Sequence, residues 1–293
     1  MIKFHPFTEC ILTIPIAIED CLAKKISIIT INFNNFLGLK KTIESVIQQT
    51  CANFEFVVID GGSNDGSAEV LKEHNNNIDY WVSEPDTGIY NAMNKGIAYA
   101  TGDYLLFLNS GDCLFKKDVL KNVSEQIHGD SEIYYGNEIK PDGSLWAIPR
   151  KVKLSYFFES SLRHQATFIK KSLFEIVGYY DESLKIVSDW DFMLKAIFIH
   201  GAKTQYIDEI VSIYEGGGVS QQACNLTLRK EEREIQLKGL FPFIYEDYKV
   251  LSNYKKTFKN PRVDILLKTE KYKILTFLNR IYFKILNLLL RVL

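Results

Sequence analysis

The sequence has no surplus of charge. Its 35 basic and 36 acidic residues leave a formal net charge of -1, so the chain as a whole does not attract nucleic acid and any basic patch must be local. It also lacks a cysteine framework. Cys10, Cys21, Cys51, Cys113 and Cys224 are odd in number, scattered and never spaced Cys-x-x-Cys, which excludes a zinc ribbon, a thioredoxin-type pair and a stapled secreted scaffold. Reduced structural thiols of this kind point to the cytoplasm. Nor is there a long hydrophobic run. The apolar stretch at residues 10–18 is short, lies between Glu9 and Glu19 and has no basic leader, so it reads neither as a signal peptide nor as a membrane span.

What is present suffices for a large core: 293 residues, 46% hydrophobic and 13% aromatic, fit one α/β domain with appendages. Residues 1–24 read as an N-terminal arm. The β-branched run at 26–31 predicts a buried parallel strand, and Leu39, Ile43, Val46 and Ile47 recur as one face of a helix before a second strand at 54–59. The turn cluster Asp60-Gly61-Gly62-Ser63-Asn64-Asp65-Gly66-Ser67 follows, then helices at 68–74 and 87–99 and a strand at 104–108. This alternation predicts an α/β fold, a Rossmann-like, mainly parallel sheet flanked by helices. The stretch 130–185 is mixed and its strand order stays open. A helix at 190–199, a strand at 202–207 and the loop Glu215-Gly216-Gly217-Gly218 close a catalytic domain of residues 25–222. Residues 223–293 form a helical C-terminal extension.

Four carboxylates, Asp60, Asp86, Asp112 and Asp189, fall at or just after predicted strand ends or helix starts. A single aspartate there is an ordinary turn or cap residue. Four together suggest a site on the sheet edge where open α/β folds hold ligands. The segments around them are Lys25-Ile-Ser-Ile-Ile-Thr-Ile-Asn-Phe-Asn34, Val58-Ile-Asp-Gly-Gly-Ser-Asn-Asp-Gly-Ser67, Ser83-Glu-Pro-Asp-Thr-Gly-Ile-Tyr-Asn-Ala-Met-Asn-Lys-Gly96, Gly102-Asp103 with Leu108-Asn-Ser-Gly-Asp112, and Ser188-Asp189-Trp190-Asp191. In this order they resemble the family 2 glycosyltransferases of GT-A fold, over about residues 25–222. The variant is most similar to members that build bacterial capsule, O-antigen or colanic-acid-like exopolysaccharide, with Asp-Gly-Gly-Ser and Asn-Ser-Gly-Asp in place of Asp-Asp-Gly-Ser and Asp-x-Asp-Asp.

The resemblance implies a non-processive, inverting transfer of one sugar from a nucleotide diphosphate sugar, with a UDP-sugar favoured, to a hydroxyl of a lipid-linked or other glycan acceptor. It places Thr30, Asn32, Asp60, Asp86, Lys95 and Asn109 around the donor nucleotide, with the Asp60 carboxylate accepting a base N–H and Lys95 approaching the phosphates. Asp112 is implied to share a Mn²⁺ or Mg²⁺ ion with the diphosphate, at a site poor in carboxylates because Asn109 and Gly111 occupy the earlier motif positions. Asp189 corresponds to the general base that takes the acceptor proton, and Ser188 stands where an acidic residue is commoner. His164, Gln165, Gly217 and Gly218 are implied to line the donor or acceptor pocket. The Gln-x-x-Arg-Trp motif of processive members is missing at Gln221-Gln222-Ala223-Cys224-Asn225.

Over about 268–293, Ile274, Leu278, Ile281, Ile285, Leu288 and Val292 form an apolar stripe beside Lys273, Arg280, Lys284 and Arg291. That pattern suits either a helix lying on the inner face of an anionic membrane or one packed on protein, a second subunit included. Two other functions compete. A sugar nucleotidyltransferase needs a glycine-rich, basic turn after its first strand, and Asn32-Phe33-Asn34-Asn35-Phe36 is not one. An inactive nucleotide-sugar binding protein would explain Asn109, Gly111 and Ser188, but retention of Asp112 and Asp189 opposes it.

Overall fold

A computed structural model describes residues 24–51, 53–218, 222–258 and 260–291. The arm foreseen over 1–24 lies outside these residues, apart from Lys24, as do Val219 and Ser220 of the glycine loop and Val292 of the last helix. In chain order the elements are β1 (Ile26–Asn32), α1 (Phe36–Ile47), β2 (Phe54–Asp60), α2 (Ser67–Glu73), β3 (Tyr80–Ser83), α3 (Ile89–Tyr99) and β4 (Tyr104–Phe107). There follow β5 (Cys113–Leu114), α4 (Val119–Ser124), β6 (Ile133–Ile139), β7 (Leu145–Trp146), α5 (Leu154–Glu159), β8 (Thr167–Lys170), α6 (Leu173–Val177), α7 (Ser188–Phe198) and β9 (Thr204–Ile213). The chain continues through α8 (Asn225–Leu240), α9 (Tyr245–Phe258), α10 (Pro261–Thr269) and α11 (Lys273–Leu290).

The strands form one sheet in the order β3-β2-β1-β4-β8-β6-β9-β5, with β7 attached to β6. From β3 to β4 the pairing is parallel, as the alternating sequence predicts. Beyond β4 the sheet is mixed: β8 runs antiparallel to both β4 and β6, while β6 and β9 are parallel. Because β8 is reversed, the turn that precedes it, His164–Ala166, arrives at the edge where β4 ends. That reversal brings residues distant in sequence to the carboxyl ends of the parallel strands.

β1 is buried at every position, and its polar groups are satisfied inside the sheet. Ser27 Oγ donates to Glu55 Oε2 at 2.6 Å, and Thr30 Oγ1 donates to the Leu108 carbonyl at 2.7 Å. Helix α1 starts at Asn35, whose side chain accepts from the Gly38 amide, and it buries Leu39, Ile43 and Val46 on the sheet. On α3, Gly96 permits close approach of helix to strand. A Cβ there would stand 2.4 Å from Ile29 Cγ2, which no real side-chain contact tolerates.

The described residues form two compact units that divide inside α8, one up to Arg233 and a second from Glu234 onward. In the second unit the basic segment foreseen as one helix from about 268 is two, because α10 ends at Thr269 and α11 begins at Lys273. Ile274, Leu278, Ile281, Ile285 and Leu288 are all exposed on α11. Among the described residues, no helix is long and apolar enough to cross a membrane.

Candidate active site

Register explains the first cluster. Asn32, Asp60 and Ser83 are the final residues of β1, β2 and β3 and stand in line across three parallel strands. The Asp60 carboxylate accepts from Asn32 Nδ2 at 2.7 Å, Ser63 Oγ at 2.5 Å, the Ser63 amide at 3.0 Å and Ser83 Oγ at 2.6 Å. Burial pushes its pKa up, and the donors from Ser63, Ser83 and Asn32 outweigh that and hold the carboxyl below its ordinary value. With 0% exposure and four donors from its own chain, Asp60 ties strand ends together and offers no open acceptor. Thr30 is likewise closed off by its bond to Leu108. Asn32 extends the network by accepting from Ser110 Oγ at 2.6 Å, which links the turn after β4.

Two more of the expected donor residues lie beside this cluster. Asp86 stands against Gly61, since a Cβ on Gly61 would meet Asp86 Oδ2 at 2.4 Å and the exposed ring of Phe33 at 3.2 Å. Lys95 reaches the carboxyl end of β3, where it pairs with Glu84 at 2.7 Å and donates to the Pro85 carbonyl.

The other expected residues converge on one cleft of about 230 Å³: Asn109, Asp112, His164, Gln165, Asp189, Gly217 and Gly218 all line it. Asp112, 4% exposed, accepts from the Glu215 amide at 2.9 Å and from Gln165 Nε2 at 3.0 Å. Burial raises its pKa, those two donors and His164 pull it down, and the neighbouring Glu215 carboxylate raises it again, for a net rise. Gly111 precedes it with φ +104, and a Cβ there would collide with Glu215 Oε2. The positive φ is what calls for glycine in the turn after β4, since the Glu215 side chain could swing aside.

Asp189 opens α7, where the helix N-terminus favours a carboxylate. Tyr90 Oη on α3 donates to its Oδ1 at 3.1 Å, and His164 Nδ1 lies 3.1 Å from its Oδ2. Burial pushes the carboxyl up, but the His164 hydrogen bond and charge, the Trp190 amide and Tyr90 hold it below its ordinary value, so it is ionised at neutral pH. His164 shifts the other way. Burial lowers its pKa, and its bond to Asp189 together with the charges of Asp189, Asp112 and Glu138 more than reverses that. Asn109 Nδ2 sits 3.2 Å from His164 Nε2, while Asn109 Oδ1 has no partner. A half-turn of that amide presents its oxygen to a protonated Nε2 and leaves its NH₂ in the unpartnered position instead. Asp191, by contrast, pairs with Lys195 at 2.6 Å and takes no part in the cleft.

Several side chains at this edge carry no motif. Glu138 on β6 is 1% exposed, and its Oε2 has no hydrogen-bond partner. Burial drives its carboxyl from an ordinary 4.5 to about 7, against the pull of Arg163, whose Nε lies 4.0 Å away. Arg163, Arg229 and Arg233 line a second cleft of about 300 Å³, which shares Asp189, His164 and Tyr214 with the first. Tyr90 lay within a recognisable segment. The others are joined to the site only by the chain's folding, and no local signal marks them.

This is an α/β protein whose cleft opens at the carboxyl ends of its parallel strands, the position at which such sheets bind nucleotides. The chain belongs to the family 2 glycosyltransferases: the family model described as Glycosyl transferase family 2 matches residues 27–183, more than half of its length. It is 32% identical over 209 residues to a PGL/p-HBAD biosynthesis glycosyltransferase of Mycobacterium tuberculosis, covering 68% of this chain and 80% of the relative. An uncharacterized glycosyltransferase of the same species is 37% identical over 184 residues, 60% of this chain and 70% of the relative. Among solved structures, S. aureus TarS 1-349 in complex with UDP-GlcNAc superposes with a TM-score of 0.58 at 18% identity, over 73% of this chain and 66% of that one. The UDP complex of TarS gives 0.55 at 21%, and there the match covers 65% of this chain and only 60% of TarS. The mannosyltransferase PcManGT of Pyrobaculum calidifontis, in complex with GDP-Man and Mn²⁺, gives 0.55 at 14%, over 88% and 84% of the two chains. At these identities the structural likeness shows the GT-A fold. The protein is a glycosyltransferase. The family match ends before Asp189, so the base candidate and α8 stand on this chain's own geometry.

Proposed function

We propose that the protein transfers one sugar from a UDP-sugar to an acceptor hydroxyl with inversion, Asp189 acting as general base. The observation that carries this reading is the pairing of Asp112 and Asp189 across one cleft, the first constrained by Gly111 and Gln165, the second by Tyr90 and His164. The nucleoside is assigned to the edge beside Gly61, where Phe33 offers an exposed ring and Asp86 an acceptor. Asp60 is already filled by internal donors and serves to fix the Gly61–Gly62 turn, so Asp86 takes over the base N–H in this reading. Gly217 and Gly218 line the same cleft, where the chain backbone is bare of side chains and a diphosphate can approach it closely.

The donor atoms present suit a hard divalent cation shared with substrate. Asp112 and Glu215 are neighbouring carboxylates that repel each other, a conflict that a cation relieves. Among the described residues no group of three or more His, Cys, Asp or Glu side chains is arranged to hold a metal alone, so phosphate oxygens must complete the shell. Asp112 and Glu215 would hold Mn²⁺ or Mg²⁺, which supplies charge neutralisation to the departing diphosphate.

Asp189 does the rest. As the acceptor oxygen bonds to the anomeric carbon, its proton passes to the carboxylate, which Tyr90 and His164 keep oriented toward the cleft. Attack by the acceptor on the face opposite the diphosphate inverts the anomeric centre. The test is NMR of the product formed from α-configured UDP-sugars and a panel of lipid-linked and free glycans. A β linkage supports the reading, and an α linkage refutes direct displacement. The exposed stripe of α11, flanked by Lys273, Arg280, Lys284 and Arg291, suits contact with an anionic membrane that presents a lipid-linked acceptor on its inner face. A role in bacterial surface polysaccharide assembly follows from that acceptor class.

A further inference from the structure

The second cleft has a chemistry different from the first. It shares Asp189 and His164 with the first, and Arg163, Arg229 and Arg233 line it. Each is placed by the fold. Arg163 lies flat over the Trp146 ring at 3.4 Å, and Arg233 packs on Trp190 at 4.9 Å. Helix α8 is pinned between Arg229 and Arg233 by Glu232, whose carboxylate accepts from the Lys185 and Ile186 amides at 2.7 and 3.0 Å. These cations crowd one another: repulsion from Arg229 and Arg163 adds to burial in bringing Arg233 down to about 10. Yet the buried Nε of Arg163 and that of Arg233 have no hydrogen-bond partner. Facing them, the almost fully buried Glu138 also leaves Oε2 without one.

Arg163 Nε and Glu138 Oε2 meet as an ion pair at 4.0 Å, too long for a hydrogen bond, and a folded protein seldom leaves such groups without one. An anion in the cleft, bonded to the guanidinium groups that line it, would offset their mutual repulsion through charge-assisted bonds. We propose that this cleft is the acceptor subsite and that it takes a sugar bearing an anionic group, a phosphate ester or a carboxylate, close to the hydroxyl presented to Asp189. The proposal rests on the reading of Asp189 as the residue that meets the acceptor. It adds that the acceptor is charged, and that two of the three arginines reading its charge, Arg229 and Arg233, lie beyond the segment the family model matches.

The experiment is calorimetry on the full chain with UDP saturating the first cleft. Glucose 1-phosphate, glucuronate and glucose are titrated in turn into the wild type, Arg229→Gln and Arg229→Lys. At least one anionic probe should bind about tenfold or more tighter than glucose, lose that advantage in Arg229→Gln and regain part of it in Arg229→Lys, with UDP affinity within about twofold throughout. Preference for glucose 1-phosphate identifies a phosphate ester, and preference for glucuronate a carboxylate. Equal binding of all probes, or an anion preference that Arg229→Gln leaves intact in a protein of unchanged melting temperature, overturns the proposal. Absence of UDP binding with the arginine-dependent anion site intact would instead sink the donor reading of the first cleft.

Discussion

Glu138→Gln isolates the energetic cost of a carboxylate buried beside this site. The wild-type side chain is 1% exposed and its carboxyl is raised from 4.5 to about 7, because burial penalises the ion more than Arg163 rewards it. A carboxyl whose folded value lies above its unfolded one favours the fold while protonated. That contribution is complete below 4.5, declines as pH rises through the folded value of about 7 and is gone above it. The gap between 4.5 and about 7 corresponds to about 3 kcal/mol. Glutamine keeps an Oε1 to accept from Ser212 Oγ, which stands 3.4 Å away, and does not titrate. Urea unfolding of both proteins in steps from pH 4.5 to 8 should therefore show the variant gaining on the wild type by about 3 kcal/mol over that range, whatever constant offset the substitution introduces. A stability difference that is flat with pH would show that Glu138 is solvated or fully paired, and would refute the assignment of an unsatisfied buried carboxylate.

Two further outcomes follow from the same geometry. Calorimetry should show Mn²⁺ strengthening UDP binding to the wild type by about tenfold or more, with the gain lost in EDTA and in Asp112→Asn; equal affinity with and without metal removes the cation from Asp112. A chain ending at residue 260 should no longer sediment with phosphatidylserine vesicles while the full chain does, and loss of binding in high salt should accompany it. Unchanged sedimentation would assign the α11 stripe to protein contact.

The parallel half of the sheet was legible because strands buried on both faces read as continuous β-branched runs, as at Ile28–Ile29–Thr30–Ile31 and Val57–Val58–Ile59. The middle was not. β6 contains Gly136, Asn137 and Glu138, residues that argue against a central strand, and they are tolerated because the partner β9 shifts register beside Asn137. Gly136 is needed there, as a Cβ would meet the Glu209 carbonyl at 2.7 Å. Asp112 and Asp189 could be found in the sequence because strand ends and helix starts are recognisable positions. Their partners could not, since Glu138, Arg163 and Arg233 reach the cleft through strand reversal and helix docking. Asp60 shows the converse. Its motif marks it for the site, while the register with Asn32 and Ser83 turns its carboxylate inward. Lys95 has the right spacing along α3 to approach a phosphate, and the folding that pairs it with Glu84 was not legible from that spacing.

The account depends most on Asp189 receiving the acceptor proton. Its direct test is single-turnover transfer by Asp189→Asn beside UDP affinity measured on the same preparation. Asparagine preserves the shape of the side chain and removes its basicity. Transfer should fall by about 10²–10⁴-fold with UDP affinity essentially unchanged. Transfer within a few-fold of the wild type would contradict the account.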